Sequence, residues 1–212
     1  DNAISKGWGD RPCIQAPGVH WTYAELLAQA NRIANVLVQD MGLVPGNRVL
    51  LRAPNNPMLV ASWFAVMKAG GIAVATMPLL RAKELRQMIA KGEVSHALCD
   101  MRLADDLRAA ATEPDGAALQ HIRYFNTAPG GAPEQSLEAA MARQSDTFTN
   151  VDTAADDTCI LAFTSGTTGV PKGTMHFHRD VMAICACWPP HVLRAEASDV
   201  FIGSPPLAFT FG

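Results

Sequence analysis

Leu26, Leu27, Ala30, Ile33, Ala34, Leu37 and Val38 recur at the three- and four-residue spacing of one helix face. Thr22 and Glu25 stand ahead of them as a T-x-x-E capping box, which marks where the helix begins. It is expected to stop near Met41, with Gly42 as the left-handed residue that ends many helices. Upstream, residues 11–23 read as a hairpin turning at Ala16-Pro17-Gly18. Beyond Gly42 the period switches repeatedly. Residues 48–52 (RVLLR), 72–76 (IAVAT), 95–99 (SHALC) and 121–125 (HIRYF) are apolar runs of strand length. Between them, 57–68, 82–91 and 103–111 read as helices. Asn55, Asn56 and Pro57 open the first, proline being tolerated in a first turn, and Gly70-Gly71 close it. Strands alternating with helices predict an α/β fold with parallel sheets flanked by helices on both faces.

Residues 126–157 break this rhythm. They are richer in Gly, Pro, Ala and Asp and hold one helix-like piece at 134–143. A boundary is placed there, giving residues 1–150 as a first α/β subdomain with its N-terminal hairpin. Residues 151–212 are then the start of a second, with a strand at 158–164, a helix within 177–188 ending before Pro189-Pro190, and a last strand at 200–203.

Composition narrows the function classes. The 212 residues are 49% hydrophobic and 17% charged, enough to bury a substantial core. A net charge of −3 gives no electrostatic case for nucleic acid or an anionic membrane as partner. No apolar run reaches the roughly 18 residues of a spanning helix, and no signal-peptide pattern opens the chain. Five scattered cysteines, an odd number, read as buried free thiols of a reducing, cytoplasmic compartment. Cys185 and Cys187 form a C-x-C, but residues two apart do not share a helix face, so the pair is read as structural. The chain opens on Asp1 without a methionine and ends within the apolar stretch 205–212, so a piece of a longer protein is expected.

The candidate chemistry lies in Thr164-Ser165-Gly166-Thr167-Thr168-Gly169-Val170-Pro171-Lys172-Gly173, directly after the apolar run 159–163. These ten residues hold three glycines, four hydroxyl side chains, one proline and one lysine. A glycine-rich turn after a strand exposes backbone N–H groups that converge well on phosphate oxygens. The hydroxyls add donors, Lys172 adds a mobile positive charge, and Pro171 stiffens the segment carrying it. The pattern is not a Walker A loop. Counted from Gly166, the second glycine falls on Pro171, and the residue after the lysine is Gly173, not Ser or Thr. His176 and His178 would share a face on a strand, but two histidines by themselves do not make a metal site.

The segment TSGTTGVPKG resembles the phosphate-loop signature of the adenylate-forming superfamily: acyl-CoA synthetases, peptide-synthetase adenylation domains and luciferases. Residues 21–26 (WTYAEL) look like its early TY-x-EL motif. Residues 67–79 (MKAGGIAVATMPL) look like its KAG…P motif, and 206–212 (PLAFTFG) its PLFH-x-FG element. The resemblance therefore spans nearly the whole chain and implies part of the large N-terminal α/β domain of such an enzyme. It implies a two-step reaction in which a carboxylate attacks the α-phosphate of ATP, releasing pyrophosphate, and the thiol of coenzyme A then displaces AMP. Thr164, Ser165, Gly166, Thr167, Thr168 and Gly169 would cradle the β- and γ-phosphates. Lys172 would sit at the pyrophosphate end, with Mg²⁺ bridging phosphates. Which of Thr164, Thr167 and Thr168 lends its hydroxyl stays open.

One departure from the family pattern bears on the acid. Where many members have histidine this chain has Phe209, beside the small Ala208. Residues 204–212 look most like benzoate- and 2-aminobenzoate-CoA ligases, which implies a flat aryl acid. Activation of a fatty or amino acid, or a nucleotide- or acid-binding module without chemistry, are the alternatives. His178 falls where the family has a histidine at a helix start, and Ala183 and Cys187 lie one turn apart beyond it. With Ala208 and Phe209 they are the candidates for the acyl pocket. The family's adenine contacts, magnesium-binding glutamate, ribose-holding aspartate and catalytic lysine all come later than Gly212. The chain alone is thus expected to be inactive, completed by a C-terminal part, and prone to homo-oligomerise through surfaces that part would cover.

Overall fold

The computed structural model describes residues 1–112, 116, 118–127, 133–164, 171–203 and 205–208. A short helix, α1 (Asn2–Ser5), precedes an antiparallel ribbon of β1 (Pro12–Ala16) and β2 (Val19–Thr22). Gly18 makes its turn at φ +75°, a conformation that favours glycine. Helix α2 (Tyr23–Asn35) starts on the expected capping box: the Thr22 hydroxyl accepts from the Glu25 N–H at 3.2 Å, and the Glu25 carboxylate accepts from the Thr22 N–H at 2.7 Å. It widens into a π-helical turn at Val36–Asp40 and stops at Gly42, φ +69°.

Alternating strands and helices follow: β3 (Arg48–Arg52), α3 (Pro57–Lys68), β4 (Ile72–Thr76), α4 (Ala82–Gly92), β5 (Val94–Asp100), α5 (Ala104–Ala111) and β6 (His121–Phe125). After α6 (Leu137–Met141) come β7 (Thr158–Thr164), β8 (Lys172–Phe177) and α7 (His178–Trp188). One six-stranded sheet runs β6-β5-β3-β4-β7-β8. Its first five strands are parallel. β7 joins β4 through the single registered pair Ala73↔Ile160, so residues 158–177 extend the same sheet that residues 48–125 build.

Side-chain alternation along the strands sorts the core into two layers. Val49, Leu51, Ala73 and Leu98 face one side and pack under α2, α3 and α6. Leu50, Val74, Ala97 and Cys99 face the other and pack under α4 and α5. Helix α3 opens on Asn56, whose Oδ1 accepts from the Leu59 N–H at 3.0 Å, with Pro57 at the first helical position. It closes at Gly70, φ +71°, where a Cβ would stand 2.9 Å from Val151 Cγ1, so both conformation and space require glycine. The irregular segment around 145–151 is tied to these helices. The Asn35 amide donates to the carbonyls of Ser145 and Thr147, Asn31 donates to Asp146, and the Val151 N–H donates to the Lys68 carbonyl.

A fully buried arginine holds the turn after β4. Arg52 donates to the carbonyls of Leu103 (3.3 Å), Met77 (3.0 Å), Pro78 (3.3 Å) and Leu80 (2.8 Å), and lies 3.9 Å from Asp106. Burial lowers its pKa, and the nearby Asp106 carboxylate opposes that only in part.

The structure departs from the sequence-based expectations in four places. Residues 172–177 form a strand that the sequence pattern did not predict. It runs antiparallel to β7, so the sheet is mixed rather than wholly parallel. Residues 200–203 are not a strand. Val200 and Ile202 are 78% and 98% exposed, and among the described residues no neighbour supplies the inter-strand hydrogen bonds that define one. The chain does not leave helical geometry at Pro189-Pro190 but continues as a π-helical turn over Pro189–Leu193. Of the five free thiols, Cys99 and Cys159 are buried and Cys13 half-buried, while Cys185 and Cys187 are exposed on α7.

Candidate active site

The antiparallel pairing of β7 with β8 turns the glycine-threonine segment into the connection of a hairpin. Thr164 pairs with Lys172, Phe163 with Gly173 and Ala162 with Thr174. Both ends of the segment are thereby delivered to the carboxyl end of β7, the side of an open α/β sheet where ligands bind. Thr164 and Lys172 are both exposed there. Ser165, Gly166, Thr167, Thr168 and Gly169 lie outside the described residues.

The returning end of this connection is anchored. Pro171 is buried, and its carbonyl accepts from Lys91 Nζ at 2.9 Å, at the end of α4. Gly173 lets β8 lie close to its partner: a Cβ there would stand 3.1 Å from Leu161 Cδ1 and 3.4 Å from Phe163 Cε1. Neither Lys91 nor this glycine contact stood out in the sequence, since both depend on which elements become neighbours.

On the opposite face of β7 lies an apolar cavity of about 380 Å³, within the size range of small-molecule sites. Leu51, Ala75, Ile160 and Ala162 form its floor. Leu59, Val60, Trp63 and Phe64 of α3 make one wall, the last two rings meeting edge to face at 5.3 Å. Val181, Ile184 and Cys185 of α7 make the facing wall, and Leu207 and Ala208 close it from a third side. His176 and Asp180 are its polar lining residues. The Asp180 carboxylate accepts from the Phe177 N–H at 2.9 Å, so its position is set by the start of α7.

The sequence-derived pocket residues separate in the structure. Ala208 lines the cavity, and Phe209 lies outside the described residues. His178, Ala183 and Cys187 do not line it. The reason is helical phase: Val181, Ile184 and Cys185 line the cavity, and at about 100° per residue Ala183 and Cys187 fall on the opposite side of α7. His178 is the first residue of α7, and its N–H donates to the Asp157 carbonyl. The polar ring at the cavity belongs instead to His176, which pairs with Ile160 across the hairpin. Burial pushes the Cys99 thiol up to about 12 and raises that of Cys159, so neither is a thiolate at neutral pH.

Comparison with known proteins bears on this arrangement. The family model described as AMP-binding enzyme matches residues 2–212. A benzoate–CoA ligase of Thauera aromatica is 29% identical over 196 residues, covering 91% of this chain and 35% of that enzyme. The ATP-bound structure of MatB from Rhodopseudomonas palustris superposes with a TM-score of 0.78 at 32% identity, over 99% of this chain and 41% of the other. The anthranilate CoA ligase AuaEII in complex with anthranoyl-AMP gives 0.81 over 88% and 35%. At 24% identity, that likeness speaks to fold alone. The chain spans about a third of the length of the curated relatives it matches.

Proposed function

Because the chain belongs to the AMP-binding enzyme family, we propose that it carries the phosphate loop and part of the acid pocket of an acid–CoA ligase acting on an aromatic carboxylic acid of the benzoate or 2-aminobenzoate type. In this reading a carboxylate oxygen of the acid attacks the α-phosphorus of ATP, and pyrophosphate leaves. The thiol of coenzyme A then attacks the acyl carbon, and AMP leaves. The observation that carries the proposal is the apolar cavity walled by Trp63 and Phe64, set directly beside the strand that leads into the glycine-threonine loop. Flat aromatic walls favour a planar ring through offset or edge contacts. The benzoate–CoA ligase relative supports the same substrate class.

Within this reading Lys172, exposed at the base of the hairpin, would meet the pyrophosphate end, and Thr164 with the loop would cradle the β- and γ-phosphates. Among the described residues no three His, Cys, Asp or Glu side chains gather into a metal cage. The residues present fit Mg²⁺ only as an ion carried in by the phosphate oxygens, its usual mode with nucleotides, where it would neutralise charge on the leaving group. Holding the acid and stabilising that charge are the two tasks the described residues suit.

The test is calorimetric titration of the chain with Mg·ATP, benzoate and hexanoate, beside a Lys172→Ala variant. Benzoate is expected to bind more tightly than hexanoate. Mg·ATP is expected to weaken at least roughly tenfold in the variant, the loss of one charge-assisted contact, with benzoate unaffected. Preference for hexanoate, or equal Mg·ATP binding in both proteins, would refute the assignment.

A further inference from the structure

Two adjacent asparagines follow β3, and they do different things. Asn56 caps α3. Asn55, exposed and one residue further from the helix, reaches across to a segment 150 residues later. Its amide nitrogen donates to the Pro205 carbonyl at 2.9 Å, and its Oδ1 accepts from the Leu207 N–H at 2.8 Å. A carbonyl and an N–H two residues apart are what a neighbouring strand residue bonds in a parallel ladder. The Asn55 side chain thus stands in for a strand partner. Pro206, between the two bonded residues, has its φ restricted by its ring. Leu207 and Ala208 are the residues that close the cavity.

We propose that Asn55 is a positioning residue for the acid pocket: it fastens the 205–208 segment so that Leu207 and Ala208 form a fixed third side of the cavity. The proposal rests on the cavity being the acid site. α3 already has its cap in Asn56, and both polar atoms of the Asn55 amide are engaged by this one segment. Holding a wall in place before the acid arrives lowers the ordering cost of binding, so affinity depends on a residue that does not itself line the cavity.

The test combines amide hydrogen exchange with ligand-observed fluorine NMR of 4-fluorobenzoate, in wild type, Asn55→Ala and Asn55→Asp. The aspartate keeps an acceptor for the Leu207 N–H but loses the donor to Pro205. In Asn55→Ala, exchange at Leu207 is expected to quicken roughly tenfold, and 4-fluorobenzoate to bind roughly three- to tenfold more weakly, the scale of one or two exposed hydrogen bonds. Asn55→Asp is expected to restore Leu207 protection and part of the affinity, a rescue that a general loss of stability would not produce; it also carries the test if the alanine variant does not fold. Unchanged exchange at Leu207 would overturn the proposal. So would faster exchange with undiminished affinity. If wild type itself takes up no 4-fluorobenzoate, the acid-pocket reading falls and the positioning role with it, while the exchange data still report separately whether the clamp exists.

Discussion

Arg52→Met removes a guanidinium while keeping an unbranched side chain of similar reach, and two effects then oppose each other. Taking a charge out of a buried site relieves the desolvation that lowers its pKa. Against that, four backbone carbonyls lose a donor. Met77 keeps a bond from the Leu80 N–H, and Asp106 keeps Arg81 at 3.2 Å and the Ala82 N–H at 3.2 Å. The unsatisfied groups are therefore chiefly the carbonyls of Pro78, Leu80 and Leu103. At about 1–3 kcal/mol for each part-buried acceptor left without a donor, and toward the low end for the two 3.3 Å contacts, the expected loss is about 3–5 kcal/mol. That is a large share of an ordinary domain's roughly 5–15 kcal/mol. At about 2–4 °C per kcal/mol for a chain of this size, it lowers the melting temperature by roughly 6–20 °C. Arg52→Lys should fall in between, because one ammonium does not span the fork of acceptors. Asp106→Asn should cost under about 1 kcal/mol, its side chain being partly exposed. Urea and thermal unfolding of the four proteins decide the matter. An Arg52→Met chain within about 1 kcal/mol of wild type would mean that the turn is not held by the arginine.

His96 is 3% exposed, with Nε2 2.9 Å from the Met41 carbonyl and Nδ1 2.8 Å from Ser95 Oγ, and its ring stacks on His121 at 4.7 Å. Burial lowers its pKa more than the Met41 bond raises it, so the folded state takes up a proton less readily than the unfolded chain does near pH 6.5. Stability should thus be flat above about pH 7 and fall as the pH drops through about 6.5; a His96→Gln chain with the same slope of melting temperature against pH would refute this. Met182, Trp188, Val192, Phe201 and Ile202 are 54–98% exposed along α7 and beyond it. Apolar surface on that scale predicts concentration-dependent self-association, weakened in Met182→Lys, and a clean monomer by light scattering at high concentration would count against it.

Elements whose signal is local were legible in the sequence. The capping box at Thr22 and Glu25, the Asn56-Pro57 start of α3 and the glycine stops at 42 and 70 each lie within a few residues of the boundary they set. What failed was tertiary in origin. β8 reads poorly as a strand because Lys172, Gly173, Thr174 and Met175 are all exposed and little apolar alternation marks it; its pairing with β7 is what makes it one. Residues 200–203 show the reverse, an apolar run that looks like a strand and has no described partner. Arg52 flanks the run VLL like any polar strand end, and nothing local reveals that four carbonyls converge on it.

The same division runs through the candidate site. The proposed phosphate loop stood out by composition, since groups suited to phosphate are small and closely spaced, whatever the rest of the fold does. The proposed acid pocket did not, because the cavity's lining depends on the rotation of one helix. Ala183 and Cys187 repeat at a helical spacing, but so do Val181 and Cys185, and periodicity alone does not say which stripe turns inward. Mean apolarity favours the second pair with Ile184, and that is the stripe the cavity takes. Asn55 lies further still from what sequence shows. Beside Asn56 it reads as part of a helix start, yet its partners are 150 and 152 residues away. Only its tertiary hydrogen bonds set this exposed residue apart from ordinary surface. Changing Asn55 is expected to alter acid affinity without touching a residue that lines the cavity.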